Sequence, residues 1–522
     1  MQISGYCVYQ IYFHPLSKYP GPLSSKLTSF RAAYHAWTED QHLDIWRCHQ
    51  KYGPIVRYRP DYISFNTVDA YKDIYSGDTT TKPRVYEHLQ RQHASILTLR
   101  DNKAHSIRRR LLGHGLSSTA VTDMEPRMLR HVRNFCHALG AGLDTTQGEK
   151  GAWGSPLEMA DWCSYLTFDI MVDIVFGVSG DLLVDPSQRS IVEDIGISSK
   201  RAFVLINAPL LYLGRMDRKL FPGSVSSRRR FLRLVDELVA RSTSLSAEEK
   251  SRAVVHRLLA GRDAEANGGN PDIQSLVSDA TTLTVAGMFD HHLSRNLALI
   301  NHTTTGFDTT APALSATFFY LSRSPSVYNR LVTEIRQRFS SSDEIKQGEP
   351  LNNCTYLRAC IDETLRITPP VATALFREVL PGGELIDGHH VPAGYHAGTS
   401  AYSVHHRADY FHLPNEYIPE RWLNPSETRG GVHNPAAYIP FLRGPRSCLG
   451  RSLAYWELLV TVAMVLWEFD LRAVDGSEAG VGGGDSMLGM PGRNNPGEYQ
   501  LFDRGTCGRV GPVVQFRRRD IV

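Results

Sequence analysis

One loop constrains this chain more than any other feature. It runs Pro440-Phe441-Leu442-Arg443-Gly444-Pro445-Arg446-Ser447-Cys448-Leu449-Gly450, and the apolar run Leu453 to Trp467 follows directly. Gly444 permits a tight turn and Gly450 permits close backbone approach, because neither carries a Cβ. A cysteine just ahead of a helix has its thiolate favoured by the positive end of the dipole and by backbone N–H groups. Arg446, two residues earlier, is placed to pair with a carboxylate of a bound cofactor. The ordinary reading of a lone cysteine is a small buried hydrophobe. Most of the others, at 7, 48, 136, 163, 354, 360 and 507, are read that way; none forms a CxxC pair. Cys448 needs a separate explanation.

The 522 residues are 42% hydrophobic and 21% charged, an ordinary globular composition with ample material for a large core. A net charge of +3 argues against a nucleic-acid partner held by bulk electrostatics. The basic runs Arg108-Arg109-Arg110, Arg228-Arg229-Arg230 and Arg517-Arg518-Arg519 read as solvated faces. No segment approaches the roughly 18–20 consecutive apolar residues of a membrane-spanning helix. The opening MQISGYCVYQIYFHPLSKYPGP is too short to span and lacks a secretory signal's basic flank. It reads as the remnant of an anchor with a proline-rich hinge over residues 1–22.

Apolar residues recur at spacings of three and four around 124–140, 156–178, 228–260, 311–340, 354–367 and 450–468, which predicts helices there. Strand signals are short: Ile55 to Tyr58, Ile63 to Phe65, Leu385-Ile386 with its turn, and Val513 to Phe516. The expected fold is mainly α, one large helical domain with small β-sheets near the N-terminus and C-terminus. Gly480 to Gly484 opens no helix, so it reads as a loop and not a phosphate cradle.

The spacing Phe441-x-x-Gly444-x-Arg446-x-Cys448-x-Gly450 agrees at every fixed position with the haem-binding signature of cytochromes P450, and the chain resembles that family nearly end to end. It is similar to fungal microsomal members, the isotrichodermin and benzoate hydroxylase group. The resemblance implies a P450 haem domain over 23–522, haem b with Cys448 as axial ligand, and a thiolate that favours O–O cleavage. It assigns Glu363 and Arg366 of Glu-Thr-Leu-Arg, with Arg421 of Pro419-Glu420-Arg421-Trp422, to a structural triad. It sets His105 and Arg109 where the family has Trp-x-x-x-Arg, and with Arg377 it points them at the haem propionates. Histidine at 105 is a departure from the family.

Gly306-Phe307-Asp308-Thr309-Thr310 resembles the family's oxygen-activating helix. There Thr309 would hold a water and Asp308 would relay protons from solvent. Pro312 leaves the carbonyl of Asp308 without its helical partner, so a kink or widened turn is expected. Val285-Ala286-Gly287 completes the family pattern only if Met288 to Gly306 is passed over, an insertion of about 19 residues. A lineage-specific loop, a translated intron and a shift in which glycine serves all remain open. The implied partners are O₂, an apolar small-molecule substrate and an NADPH-cytochrome P450 reductase docking near Arg443 and Arg451. The implied location is the cytosolic face of the endoplasmic reticulum membrane. Rival readings are a haem protein impaired by the insertion, and an isomerase or dehydratase on the same fold.

Overall fold

The computed structural model describes residues 2–88, 94–116, 118–141, 143, 152–211, 216–254, 256, 306–423 and 433–519. The expected insertion, apart from Gly306, lies outside the described residues.

Two helices are apolar on every face and therefore occupy the centre. Met159–Phe176 buries all but Asp161 and Trp162. Arg451–Glu468 is buried almost continuously from Leu453 to Trp467. Phe307–Arg323 packs against both, Thr355–Ile367 packs against it and against Arg451–Glu468, and Ser118–Gly140 closes one side. Their apolar side chains form the largest cluster in the molecule. Gly177 ends the Met159 helix at φ +76, donating its N–H to Asp173 O at 2.8 Å, a left-handed stop that suits glycine.

A second core lies under a five-stranded sheet of order Ile55–Arg59, Tyr62–Phe65, His396–Thr399, Arg377–Val379, Thr80–Thr81. Only the Tyr62–Phe65 and His396–Thr399 pair is parallel. Near the C-terminus, Leu157–Glu158, Val513–Arg518 and Phe469–Ala473 make an antiparallel sheet. Two hairpins complete the β-structure: Glu384–Ile386 with His389–Val391, and Phe502–Arg504 with Thr506–Gly508. The first turns through Asp387 and Gly388 at φ +49 and +73, the double left-handed geometry of a tight hairpin.

Four expectations are corrected. The 311–340 periodicity belongs to two helices, Phe307–Arg323 and Pro325–Arg338. Proline starts a helix well but forces the residue before it out of the helical region, and Ser324 stands at φ −123, ψ 78. The 228–260 stretch divides as well. Pro222–Thr243 stops, and Ala247–Arg252 restarts behind a Ser246/Glu249 capping box. The backbone stays α-helical through Pro312, so no widened turn is seen between Phe307 and Arg323. The ring meets the helix one turn from its start, where only the Asp308 carbonyl loses a partner. The basic runs are also not uniformly solvated: Arg108 and Arg228 are buried.

Candidate functional site

The cysteine loop is held by its own backbone. Gly444–Arg446 makes one 3₁₀ turn with Gly444 at φ +72, and a Cβ there would lie 2.1 Å from Tyr75 O. Ser447 N–H donates to Gly444 O at 3.0 Å and Cys448 N–H to Phe441 O at 2.8 Å. Gly450 caps the Arg451–Glu468 helix, and a Cβ on it would meet no protein atom within 4 Å. The close approach expected there is therefore not to the protein. Phe441 packs against Tyr455, ring centroids 5.2 Å apart. All eight cysteines are free; six are buried, Cys7 is half-buried and Cys448 alone is exposed. Desolvation pushes the Cys448 thiol up, while the Gly450 N–H, Arg109 and Arg451 pull it towards thiolate.

Around this loop gathers positive charge. Arg446 donates to Leu99 O (2.9 Å), Arg100 O (2.8 Å) and Asn102 Oδ1 (2.9 Å). Arg377, buried, donates to Leu375 O and Phe376 O and lies over the Tyr75 ring at 5.0 Å. His105, also buried, is held down to about 3, by desolvation first and then by Arg446, Lys82, Arg109 and Arg377. The Arg109 guanidinium grips Ser447, donating to the backbone carbonyl and, at 3.0 Å, to Oγ.

Lys82 was missed by the sequence reading. It is buried, its ammonium donates to Ile96 O and Leu97 O, and desolvation with Arg446 and Arg377 drives it well below the ordinary lysine range. Lys82, Arg377 and Arg446 have no carboxylate within 4 Å among the described residues; Asp101 is the acidic neighbour that Arg446 feels. Buried cations without counter-charges are costly unless an anion joins them. The donor set thus fits a haem on two counts, an exposed thiol beside an open glycine and a cationic shelf for two propionates.

The Phe307–Arg323 helix packs against the helix that follows Cys448. Asp308 accepts a hydrogen bond from Thr506 Oγ1 at 2.6 Å. Burial raises its carboxyl while Thr506, Arg509 and Arg504 oppose the rise. It borders a cavity of ≈ 470 Å³ whose wall also carries Ser164, Arg504 and Arg509. Thr309 Oγ1 lies 3.4 Å from Gly306 O. The acid and the alcohol are adjacent in the helix, and the acid is tied to a hairpin 198 residues away.

Glu457 is a buried carboxylate in the middle of the apolar stretch Leu453 to Trp467. Its Oε1 and the Thr461 hydroxyl lack hydrogen-bond partners. Burial pushes its carboxyl from 4.5 up to about 8, with Thr310 pulling the other way. The folded state then keeps a proton that the unfolded state releases, so this group subtracts from stability as pH climbs from 4.5 towards 8. Glu457→Gln is expected to exceed wild type by about 2–3 kcal/mol at neutral pH and to match it in mild acid. Urea midpoints at the two pH values check this; a difference that does not grow with pH would refute it.

Behind the loop, Arg366 donates to both Glu363 oxygens at 2.9 and 2.8 Å, and Arg421 Nε donates to Oε1 at 3.1 Å. Trp422 Nε1 (2.9 Å) and Ile418 N–H (3.0 Å) add two more donors. Arg366 also donates to His405 O, and His405 Nδ1 donates back to Arg366 O at 2.7 Å. Its Nε2 accepts from Ile439 N–H at 2.9 Å, linking the triad to the strand of chain that enters the cysteine loop. Neither His405 nor Trp422 was expected from sequence.

A family model described as Cytochrome P450 matches residues 20–481. The chain is 40% identical to cytochrome P450 monooxygenase poxM of Penicillium oxalicum, covering 99% of this chain and 93% of that one. It is 37% identical to cytochrome P450 monooxygenase AKT7 of Alternaria alternata and 36% identical to cytochrome P450 monooxygenase atnE of Emericella nidulans. Each alignment covers 99% of this chain and 95% of the relative.

Proposed function

The chain belongs to the cytochrome P450 family of haem-thiolate monooxygenases, and from that premise we propose that Cys448 is the iron's thiolate ligand in an enzyme that hydroxylates or epoxidises an apolar small molecule of fungal secondary metabolism. The observation that carries this is the single exposed thiol beside a cationic shelf in which Lys82 and Arg377 are buried and, among the described residues, have no carboxylate within 4 Å. Lys82, Arg377 and Arg446, with His105 between them, are the residues that would hold the propionates. Haem held there would supply O₂ activation, so that one oxygen atom would enter the substrate and the other would leave as water, with two electrons and two protons consumed.

Asp308 and Thr309 serve proton delivery. Asp308 takes protons from the polar cavity through its contact with Thr506 and passes them to the hydroxyl beside it. Electrons come from NADPH through a separate reductase, for which the exposed Arg443 and Arg451 on the cysteine side supply attractive charge. Among the described residues no helix is long and apolar enough to cross a membrane. Tyr12, Phe13, Phe30 and Tyr34 near the N-terminus are nonetheless strongly exposed, which supports attachment to the endoplasmic reticulum surface.

The test is the reduced carbon-monoxide spectrum followed by substrate-dependent NADPH consumption with a reductase. A band near ~450 nm and coupled turnover are expected; neither appearing would overturn the reading. Asp308→Asn is expected to keep that band and to slow turnover about a hundredfold. Unchanged turnover would remove Asp308 from the proton path.

A further inference from the structure

Two phenols meet at one carboxylate oxygen beside the cysteine loop. Tyr455 donates to Asp362 Oδ1 at 2.6 Å and Tyr438 donates to the same oxygen at 2.9 Å, with the two hydroxyl oxygens 3.1 Å apart. Each phenol has a single proton, and both are spent on Oδ1, so the contact between the hydroxyl oxygens holds no proton of its own. Asp362 Oδ2 accepts from Arg358 Nε at 2.8 Å, and the Arg358 guanidinium lies 3.8 Å over the Tyr455 ring. Tyr455 and Asp362 are buried.

The pair is connected in two directions. Inward, the Tyr455 ring packs 5.2 Å from that of Phe441, whose carbonyl accepts the Cys448 N–H at 2.8 Å. One side chain thus separates Tyr455 from the backbone of Cys448. Outward, the Tyr438 ring lies 4.6 Å from that of Trp422, which is half-buried. Tyr58, Tyr356 and Tyr402 also donate to carboxylates, but among the described residues none has a ring contact with the cysteine loop. Phenols and indoles give up one electron more readily than other uncharged side chains, and a phenol does so best when a base takes its proton in the same step. Here the base is needed. Arg358 and Arg451 both face the Tyr455 ring and oppose leaving it positive.

We propose that Tyr455 and Tyr438 are a redox-active pair that removes oxidising equivalents from the haem when no substrate consumes them, with Asp362 as proton acceptor and Trp422 as exit. This rests on the haem-thiolate reading and adds an activity to it. Tyr455 gives one electron to the haem and its phenolic proton to Asp362. The Tyr438 hydroxyl then turns to the bare Tyr455 oxygen and passes it a hydrogen atom. Trp422 returns an electron to Tyr438, Asp362 returns the proton, and a thiol in solution refills Trp422. Two such passages, with two protons from solvent, reduce one alkyl hydroperoxide to its alcohol and water. The two thiols release two protons and leave as one disulfide, so electrons and atoms balance.

The test uses the haem-loaded full chain, cumene hydroperoxide, glutathione as the thiol, and no substrate. Freeze-quenched samples are read by electron paramagnetic resonance, with and without ring-deuterated tyrosine. A tyrosyl signal that narrows on deuteration and decays faster with glutathione is expected. Tyr438→Phe combined with Tyr455→Phe should lower it at least about tenfold and bleach the haem at least about threefold faster. Tyr356→Phe, which removes an equivalent phenol–carboxylate bond away from the loop, should change neither. No tyrosyl signal in wild type overturns the proposal, as does a double variant with the wild-type signal and bleaching rate. A nitroso spin trap read by mass spectrometry needs no variant: adducts on Tyr438 or Tyr455 support the pair, and adducts only elsewhere overturn it. The carbon-monoxide band near ~450 nm of the same sample separates the failures. Its absence defeats the haem-thiolate reading and the pair's role with it, whereas its presence without the radical defeats the pair alone.

Discussion

Replacing Cys448 with serine is expected to abolish the carbon-monoxide band near ~450 nm and to lower turnover by more than about a thousandfold, while leaving the fold intact. The separation of these outcomes follows from how the loop is held. Its shape comes from the Gly444 turn, from the Cys448 N–H bond to Phe441 O, from Arg109 on Ser447, and from Arg446 on Leu99 and Arg100. None of these uses the sulfur, so a serine keeps the geometry and changes only the donor. Haem retention should fall partway, because the proposed cationic shelf would still bind the propionates. Cys360 is the contrasting case. It is fully buried in the core, and its thiol is pushed well above the usual range by desolvation. Cys360→Ser should cost about 1–3 kcal/mol from an added buried hydroxyl and leave the spectrum unchanged. A normal ~450 nm band in Cys448→Ser would end the assignment of the ligand.

How far the site was legible depends on sequence distance. The cysteine loop could be read because its constraints lie within ten residues, and the Glu363–Arg366 pair because three residues share a helix face. Lys82 could not be read. Thr80 and Thr81 pair with Val379 and Glu378, and one further step in that antiparallel register sets Lys82 opposite Arg377. Like charges facing across strands are unfavourable by themselves, so no local pattern predicts them. Thr506 was hidden for the same reason, since its hairpin reaches Asp308 only through the fold. Gly450 shows the opposite error. Its lack of a Cβ was assigned to backbone approach, but the space beside it is free of protein atoms. Among the helices, most of the long apolar ones were found, but the more polar Ser190–Asn207 and Asn102–Gly115 were not. The short ones, such as Val68–Ser76, carry too few turns to stand out from their loops.

Removing Glu363 is expected to be the most damaging change to stability. Glu363 and Arg366 are 0% exposed and Arg421 is 3% exposed. The carboxylate accepts from Arg366, Arg421, Ile418 N–H and Trp422 Nε1, so Glu363→Ala strands all of these donors and leaves two buried cations facing each other. Breaking such a set costs about 3–5 kcal/mol, because the lost partner leaves uncompensated charge in a medium of low polarity. Glu363→Gln keeps the volume but not the charge and should be nearly as severe. The surface pair Arg330–Glu420, half exposed on both sides at 3.5 Å, sets the scale: Arg330→Ala should cost no more than about 1 kcal/mol. The arginines hold the Glu363 carboxyl below its ordinary 4.5 against burial. Its stabilisation is therefore present above pH 4.5 and lost as pH falls through the lower folded value. The damage should also travel. Arg366 is joined to His405, and His405 to Ile439, two residues before Phe441. Loosening the triad thus loosens the approach to Cys448, and Glu363→Ala should release haem at a temperature where wild type retains it. Thermal haem-release curves of the three variants decide the matter: if Glu363→Ala and Arg330→Ala melt alike, the buried triad does not carry the stability assigned to it.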